Sequence, residues 1–342
     1  MVTYFHLKWM PWCGKLATFA TFAAFALVCG VSYAHVANAA NIANTWPAKP
    51  VRIVNPYTAG GGVDVVGRAI AHQLSELWGQ PVITDNRPGA GTTVGMEIVA
   101  HAVPDGYTLL VSNGSVATAP ALYKKLSYNV VKDLAPVSLA VQSPYVLTVH
   151  PSVKAATVPE LVNLARTQPG KLSYGSVGVG SLAHLMMELF KSQTKTDMVH
   201  VPYKGGAPST TGLLSGEIQA TFSPISTMLP HAKAGRARVI AVSSAKRVEL
   251  APDLPSVAEQ GIAGFDGTSW YPFFAPARTP AAIVQKINGD IHRILQKPEV
   301  RSRFLALGMI PVGGAPEVLR DYLDVEVRRW GKVIAATGVQ AE

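Results

Sequence analysis

Cysteine is nearly missing from this chain. Of its 342 residues only Cys13 and Cys29 are cysteines, and both lie near the N-terminus. Once such a leader is removed, no disulfide, thiolate metal site or cysteine nucleophile remains. Acidic residues are scarce early on, with none before Asp64. Charged residues make up 15% of the chain against 48% hydrophobic ones, which excludes a disordered chain. No long basic run and no RNA-type aromatic motif occurs, so nucleic acid is not an expected partner. His184, His200 and His231 are far apart, with no His-x-x-x-His pair or carboxylate at ligand spacing. Neither a metal nor any other cofactor is expected from that pattern. Gly-x-Ser-x-Gly is absent, and Ser192-x-x-Lys195 lacks the Ser-Asp-Asn and Lys-Thr-Gly motifs that give such spacing meaning.

What is present begins with a leader. Lys8 and Lys15 precede an apolar run from Leu16 to Val31, and Ala37-Asn38-Ala39 offers small residues for cleavage. This is the layout of a secretory signal peptide over 1–39. An uncleaved anchor is the alternative, although the run is short for a span and no second stretch of spanning length follows. Export without cysteines, at a size that allows a solid core, suits a bacterial periplasm. The net charge of +9 becomes +7 without Lys8 and Lys15, a mild field favouring anionic ligands.

The rest is organised around Asn55-Pro-Tyr-Thr-Ala-Gly-Gly-Gly-Val-Asp-Val-Val-Gly-Arg68. The apolar run Val51 to Val54 leads into it. Gly60, Gly61 and Gly62 let the backbone turn tightly and lie bare. Asp64 falls where a helix N-cap or first turn places an acid. Val66, Ile70, Leu74 and Leu77 then recur at helical spacing. Strand, glycine loop and helix N-terminus together can hold an anion. An ordinary βα turn explains the pattern too, because neither Lys-Ser/Thr nor G-x-G-x-x-G is there.

The same device recurs. Strands are expected at 81–84, 108–111, 145–150, 171–174, 198–201, 218–222 and 239–242, alternating with helical patterns at 92–102, after Thr157, after Ser181 and after Thr279-Pro280. That alternation predicts an α/β fold with mostly parallel sheets. The loops Ser112-Asn-Gly-Ser115, Gly175–Ser181 and Tyr203–Ala207 repeat the chemistry of Gly60–Asp64. Thr58, Ser112, Ser115, Ser176 and Ser181 add hydroxyls, and Lys204 is the one basic residue well placed for an anion. Crossings near 148 and 270 would give two lobes, 46–148 plus 270–342 and 149–269, with a hinge between them.

Several stretches carry a resemblance. They are Pro56–Asp64, Arg87-Pro-Gly-Ala-Gly91, Pro104-Asp-Gly-Tyr-Thr-Leu109, Tyr174–Ser181 with His184, His200-Val-Pro-Tyr-Lys-Gly-Gly-Ala-Pro208, Leu254–Glu259, and Trp270 with Ala275–Pro280. In these the chain resembles the periplasmic substrate-binding receptors of tripartite tricarboxylate transporters, the Bug (TctC-like) family, over nearly all of 46–310. The resemblance implies a two-lobed periplasmic binding protein, type II or Venus-flytrap, that captures a small carboxylate in the cleft and is no enzyme. It implies that the loops matching Thr58–Asp64 and Ser176–Ser181 grip the carboxylate; with the residues read above, the expected ligand site is Tyr57, Thr58, Ala59, Gly60, Gly61, Asp64, Ser112, Ser115, Ser176, Gly178, Ser181, His184, Tyr203 and Lys204. The implied partner is an inner-membrane tripartite permease or a signalling protein, and a monomer is expected. Val63 stands where the family usually has Thr, Thr58 where Pro is common, and Gln219 near a frequent Asp. A secreted hydrolase using Ser181 or His184 in the same cleft is the rival reading.

Overall fold

The computed structural model describes residues 45–340. The leader, its cleavage site and both cysteines lie outside the described residues. Everything below belongs to the compact unit that begins at Pro47.

The chain opens with β1 (Val51–Asn55), α1 (Gly62–Trp78), β2 (Val82–Asn86), α2 (Thr93–Ala100), β3 (Thr108–Val111), α3 (Ser115–Leu122) and β4 (Leu134–Ser143). It continues with β5 (Tyr145–Val149), α4 (Val158–Thr167), β6 (Ser173–Ser176), α5 (Leu182–Thr194), β7 (Val199–Pro202), α6 (Gly206–Ser215), β8 (Ala220–Pro224), α7 (Ile225–Lys233) and β9 (Arg238–Val242). It closes with β10 (Ser269–Pro276), α8 (Ala281–Leu295), α9 (Pro298–Ala306), β11 (Ile310–Pro311) and α10 (Pro316–Thr337).

Two sheets result. The first runs β11-β4-β10-β3-β1-β2 and the second β7-β6-β8-β5-β9. The chain changes sheet at Pro144, a few residues before the predicted crossing, and returns at Ser269. The sheets are mixed, not mostly parallel. β1 pairs in parallel with β2 and β3, as β6 does with β7 and β8. β4, β5 and β10 pair antiparallel with their neighbours. Of these, β5 and β10 enter a sheet from the other one rather than through a helical crossover, so right-handed βαβ geometry does not fix their direction.

The apolar stripes mostly face inward as the spacing predicts. On α8, Ile283, Val284, Ile287, Ile291 and Ile294 are all buried, each worth roughly 1.5–3 kcal/mol. On α1, Val66, Ile70 and Leu74 are buried, but Leu77 in the last turn is exposed. On α2, Met96 and Val99 face the core, whereas Val94 points outward. A continuous core joins the sheets through Leu147, Phe190, Phe222, Phe265, Trp270 and Trp330. The last helix, α10, packs on α3 and β4 and also reaches α5 behind the second sheet.

Candidate functional site

The first jaw is the loop between β1 and α1. Its three glycines have different reasons to be there. Gly60 adopts φ +88°, in the left-handed region. Gly62 lies so close to β10 that a Cβ there would sit 2.7 Å from the Tyr271 hydroxyl. Gly61 is the N-cap of α1 with φ −79°, and a Cβ there would meet nothing within 4 Å.

Asp64 sits in the first turn of α1, with its carboxylate folded back on the loop. It accepts the Gly60 amide at 3.0 Å, Arg68 Nε at 2.8 Å, Asn86 Nδ2 at 3.0 Å and Asn55 Nδ2 at 3.4 Å. Burial opposes its charge, but the donors from Arg68, Gly60 and Asn86 outweigh that and hold its pKa at about 2. Asp64 therefore shapes the loop, and its oxygens are taken by the chain itself. Tyr57 ties three βα loops together. Its amide donates to Asn55 Oδ1 at 3.1 Å and its carbonyl accepts Asn86 Nδ2 at 3.0 Å. Its hydroxyl meets Asn113 Oδ1 and Ser115 Oγ, the latter at 2.7 Å. Thr58, Ala59, Gly60 and Gly61 stand exposed beyond this anchor, while Ser112 is fully buried beside Pro272. Val63, at the family's Thr position, is buried at the start of α1.

The second jaw, the Gly175–Ser181 loop, is largely sealed by its own side chains. Ser176 Oγ donates to the Gly178 carbonyl at 3.0 Å and accepts the Gly178 amide at 3.1 Å. His184 Nδ1 accepts the Gly180 amide at 3.0 Å, which fixes the neutral ring as the Nε2–H tautomer. Ser181 is the N-cap of α5, accepting the His184 amide and donating to the Gly178 carbonyl at 2.7 Å. Amides that the sequence suggests lie bare are thus engaged. The surface left to solvent at the tip belongs to Val177 and Val179, 43% and 55% exposed.

Behind the loop His184, expected at the ligand site, is buried and stacked on His200. His200 Nε2 lies 2.7 Å from Ser176 Oγ. This Ser–His pair is no nucleophile and base, because Ser176 has no exposed surface and its hydroxyl already serves the loop. Tyr203 packs into the space left by Gly175 and Gly212, and Lys204 stands exposed. Gln219 is far from the loops. It accepts the Ser173 amide at 2.9 Å and donates to the Gly216 carbonyl at 3.1 Å, at the opposite edge of the second sheet. The family's frequent Asp near this position is therefore no guide to this chain's cleft.

Beside the second jaw, lined by residues 145–231 alone, lies a cavity of about 540 Å³. It opens at the carboxyl ends of β6 and β8, the edge where α/β sheets take ligands. Its walls include Tyr145, Val177, Gly206, Ala207, Ser223 and Thr227. None of the fourteen residues singled out from the sequence lines it, though Val177, Gly206 and Ala207 belong to the loops that were singled out. α6 begins there with Gly205 as its N-cap, and no side chain caps the amides of Gly206 and Ala207 in the cavity wall. Tyr145, at the sheet crossing, connects the cavity to the first jaw. Its phenol is pushed up by burial and then by the neighbouring phenols of Tyr271 and Tyr57. Tyr271 in turn touches Gly62. Sequence reasoning singled out Tyr57 but missed Tyr145 and Tyr271, which are far from it in the chain and come near it only in the fold.

Comparison with known proteins agrees with this geometry. The tripartite tricarboxylate transporter family receptor, TctC, matches residues 66–339. BugT of Bordetella pertussis is 34% identical over 298 residues, covering 86% of this chain and 91% of BugT. A UPF0065 protein in the tcbD-tcbE intergenic region of Pseudomonas sp. strain P51 is 34% identical over 290 residues, covering 84% and 86%. Among solved structures, an R. palustris protein with adipate superposes with TM-score 0.74 at 34% identity, covering 86% of this chain and 99% of that one. MatC from Rhodopseudomonas palustris with bound malate gives TM-score 0.70 at 31% identity, covering 84% and 100%. With two sheets joined by two crossings, this chain belongs to the tripartite tricarboxylate transporter receptor family of two-lobed solute-binding proteins, and is a receptor rather than an enzyme.

Proposed function

We propose that this protein captures an organic carboxylate between its lobes in the periplasm and presents it, as a monomer, to an inner-membrane tripartite permease. The observation that carries the reading is the cavity at the carboxyl edge of the second sheet, lined by the uncapped start of α6 together with Ser223 and Thr227. Backbone amides and neutral hydroxyls suit a carboxylate, and the positive end of the helix dipole favours it. The lobes are taken as 47–143 with 269–340, and 145–268, hinged at Pro144 and near Thr268. The exposed segment Thr58–Gly61, with Tyr57 and Ser115 behind it, supplies the facing jaw. Asp64, Ser176, Ser181 and His184 hold the two loops in shape, Ser112 and Tyr203 pack beneath them, and Gly178 lets the second loop turn. Lys204 is a rim cation. Ligand that satisfies donors on both lobes stabilises the closed form, which is the form delivered.

The test is a thermal-shift panel of mono-, di- and tricarboxylates, amino acids and aromatic acids on the mature protein. Saturating ligand raises the melting temperature of a receptor. Well-folded protein that responds to no carboxylate would overturn the reading.

A further inference from the structure

Resting on that reading, we infer that the solute is a carboxylate with an unsubstituted hydrocarbon body, alkyl or aromatic, and not a short hydroxylated di- or tricarboxylate. The cavity between the start of α6 and the end of β8 has no Lys, Arg, Asp or Glu in its lining. Its one imidazole, His231, has Nδ1 occupied by Arg236 at 2.7 Å. The side chains that give it breadth are Val177, Leu214, Phe222 and Pro224, with the ring of Tyr145. Phe222 is fully buried, and Val177 stands 43% exposed at the mouth.

The polar groups of the lining are few: the Gly206 and Ala207 amides at the start of α6, Thr210, Thr227, and Ser223 with its hydroxyl 3.4 Å from Thr221 Oγ1, enough to satisfy a single carboxylate. Thr211, beside them, spends its hydroxyl on the Ala207 carbonyl at 3.1 Å. A second carboxylate or a hydroxyl on the solute's body would face Leu214, Phe222 and Val177, where it would lose water and gain no partner. A hydrocarbon body there removes apolar surface from water on both sides. The volume of about 540 Å³ falls within the roughly 300–1,000 Å³ typical of small-molecule sites.

Titration calorimetry of the mature protein tests this with two sets of probes: hexanoate, octanoate and phenylacetate against malate, tartrate and citrate. At least one acid of the first set is expected to bind about tenfold more tightly, or better, than every acid of the second. A hydroxylated acid binding as tightly as any of the first set overturns the inference and leaves the carboxylate reading standing. Binding by neither set overturns both. Val177→Arg provides a second arm by placing a cation at the cavity mouth. It is expected to narrow the ratio between the sets several-fold. An unchanged ratio would mean that the body lies elsewhere, against the inference.

Discussion

His184 and His200 stack face to face, with ring centroids 3.9 Å apart and planes inclined by 7°. Tyr174 continues the stack 4.9 Å from His200. The arrangement requires uncharged rings. Burial depresses both imidazoles, and for His200 the neighbouring His184 adds to it, bringing His200 to about 4. Glu188 opposes this and Lys191 reinforces it.

A pH dependence follows. Because the folded pKa lies below the ordinary 6.5, the folded state favours neutral His200 and the unfolded chain takes up the proton first. Stability is full above about pH 6.5 and falls as the pH drops toward 4, by on the order of 2–3 kcal/mol. His200→Asn should flatten that slope in urea unfolding measured from pH 7 to 4. An unchanged slope would place the titrating group elsewhere.

The glycines of the first jaw make a paired prediction. Gly62→Ala drives a methyl against the Tyr271 hydroxyl and should cost about 1–3 kcal/mol. Gly61→Ala has room and an ordinary φ, so it should change stability by no more than about 0.5 kcal/mol. Because the nearest atom at Gly62 is the phenol oxygen, Tyr271→Phe should recover part of the loss. A double-mutant cycle by thermal unfolding reads the coupling directly.

Asp64→Asn tests whether this carboxylate shapes the loop. The folded pKa of about 2 lies below the ordinary 3.8, so the stabilisation is present above pH 3.8 and is lost as the pH falls to 2. The substitution should cost about 2 kcal/mol at pH 7 and nothing near pH 2. Ligand affinity should fall as well, because the Gly60 amide loses its acceptor. A variant of normal stability with lost binding would instead mean that Asp64 touches the solute.

How much of this was legible in the sequence depends on how local each feature is. The glycine loops, the Thr157 cap accepting the Glu160 amide at 3.3 Å, and the stripe on α8 are set by neighbours a few residues away, and spacing shows them. The direction of a hydroxyl is not. Ser176 reads as a ligand donor until His200, 24 residues on, is seen at 2.7 Å. The ten-residue strand β4 leaves no alternating signal, because flanking strands and helices bury nearly all of it and Pro136 interrupts the pattern. The cavity lining draws on β5, β6, β8, α6 and α7 at once, so the loops announce it but cannot name its walls.

Glu326 gives a prediction in which charge and shape separate. Its carboxylate is buried on α10, accepting Trp330 Nε1 at 2.9 Å and pairing with Arg329 at 2.8 Å. Arg329 also donates to the Asp266 carbonyl at 2.9 Å, next to the returning crossing strand β10. Burial raises the Glu326 pKa despite Arg329, so the charge itself weakens the fold as the pH rises through and beyond the ordinary value of 4.5. Glu326→Gln keeps the acceptor for Trp330 and removes the buried charge. It should be neutral or stabilising by up to about 1 kcal/mol at pH 8, with no benefit at pH 4. Glu326→Ala leaves the indole N–H unpaired and a void beside Trp330, and should cost about 2–4 kcal/mol at both pH values. Equal losses from Gln and Ala would show that the ion pair with Arg329, and not the hydrogen bond to Trp330, holds α10 against the crossing.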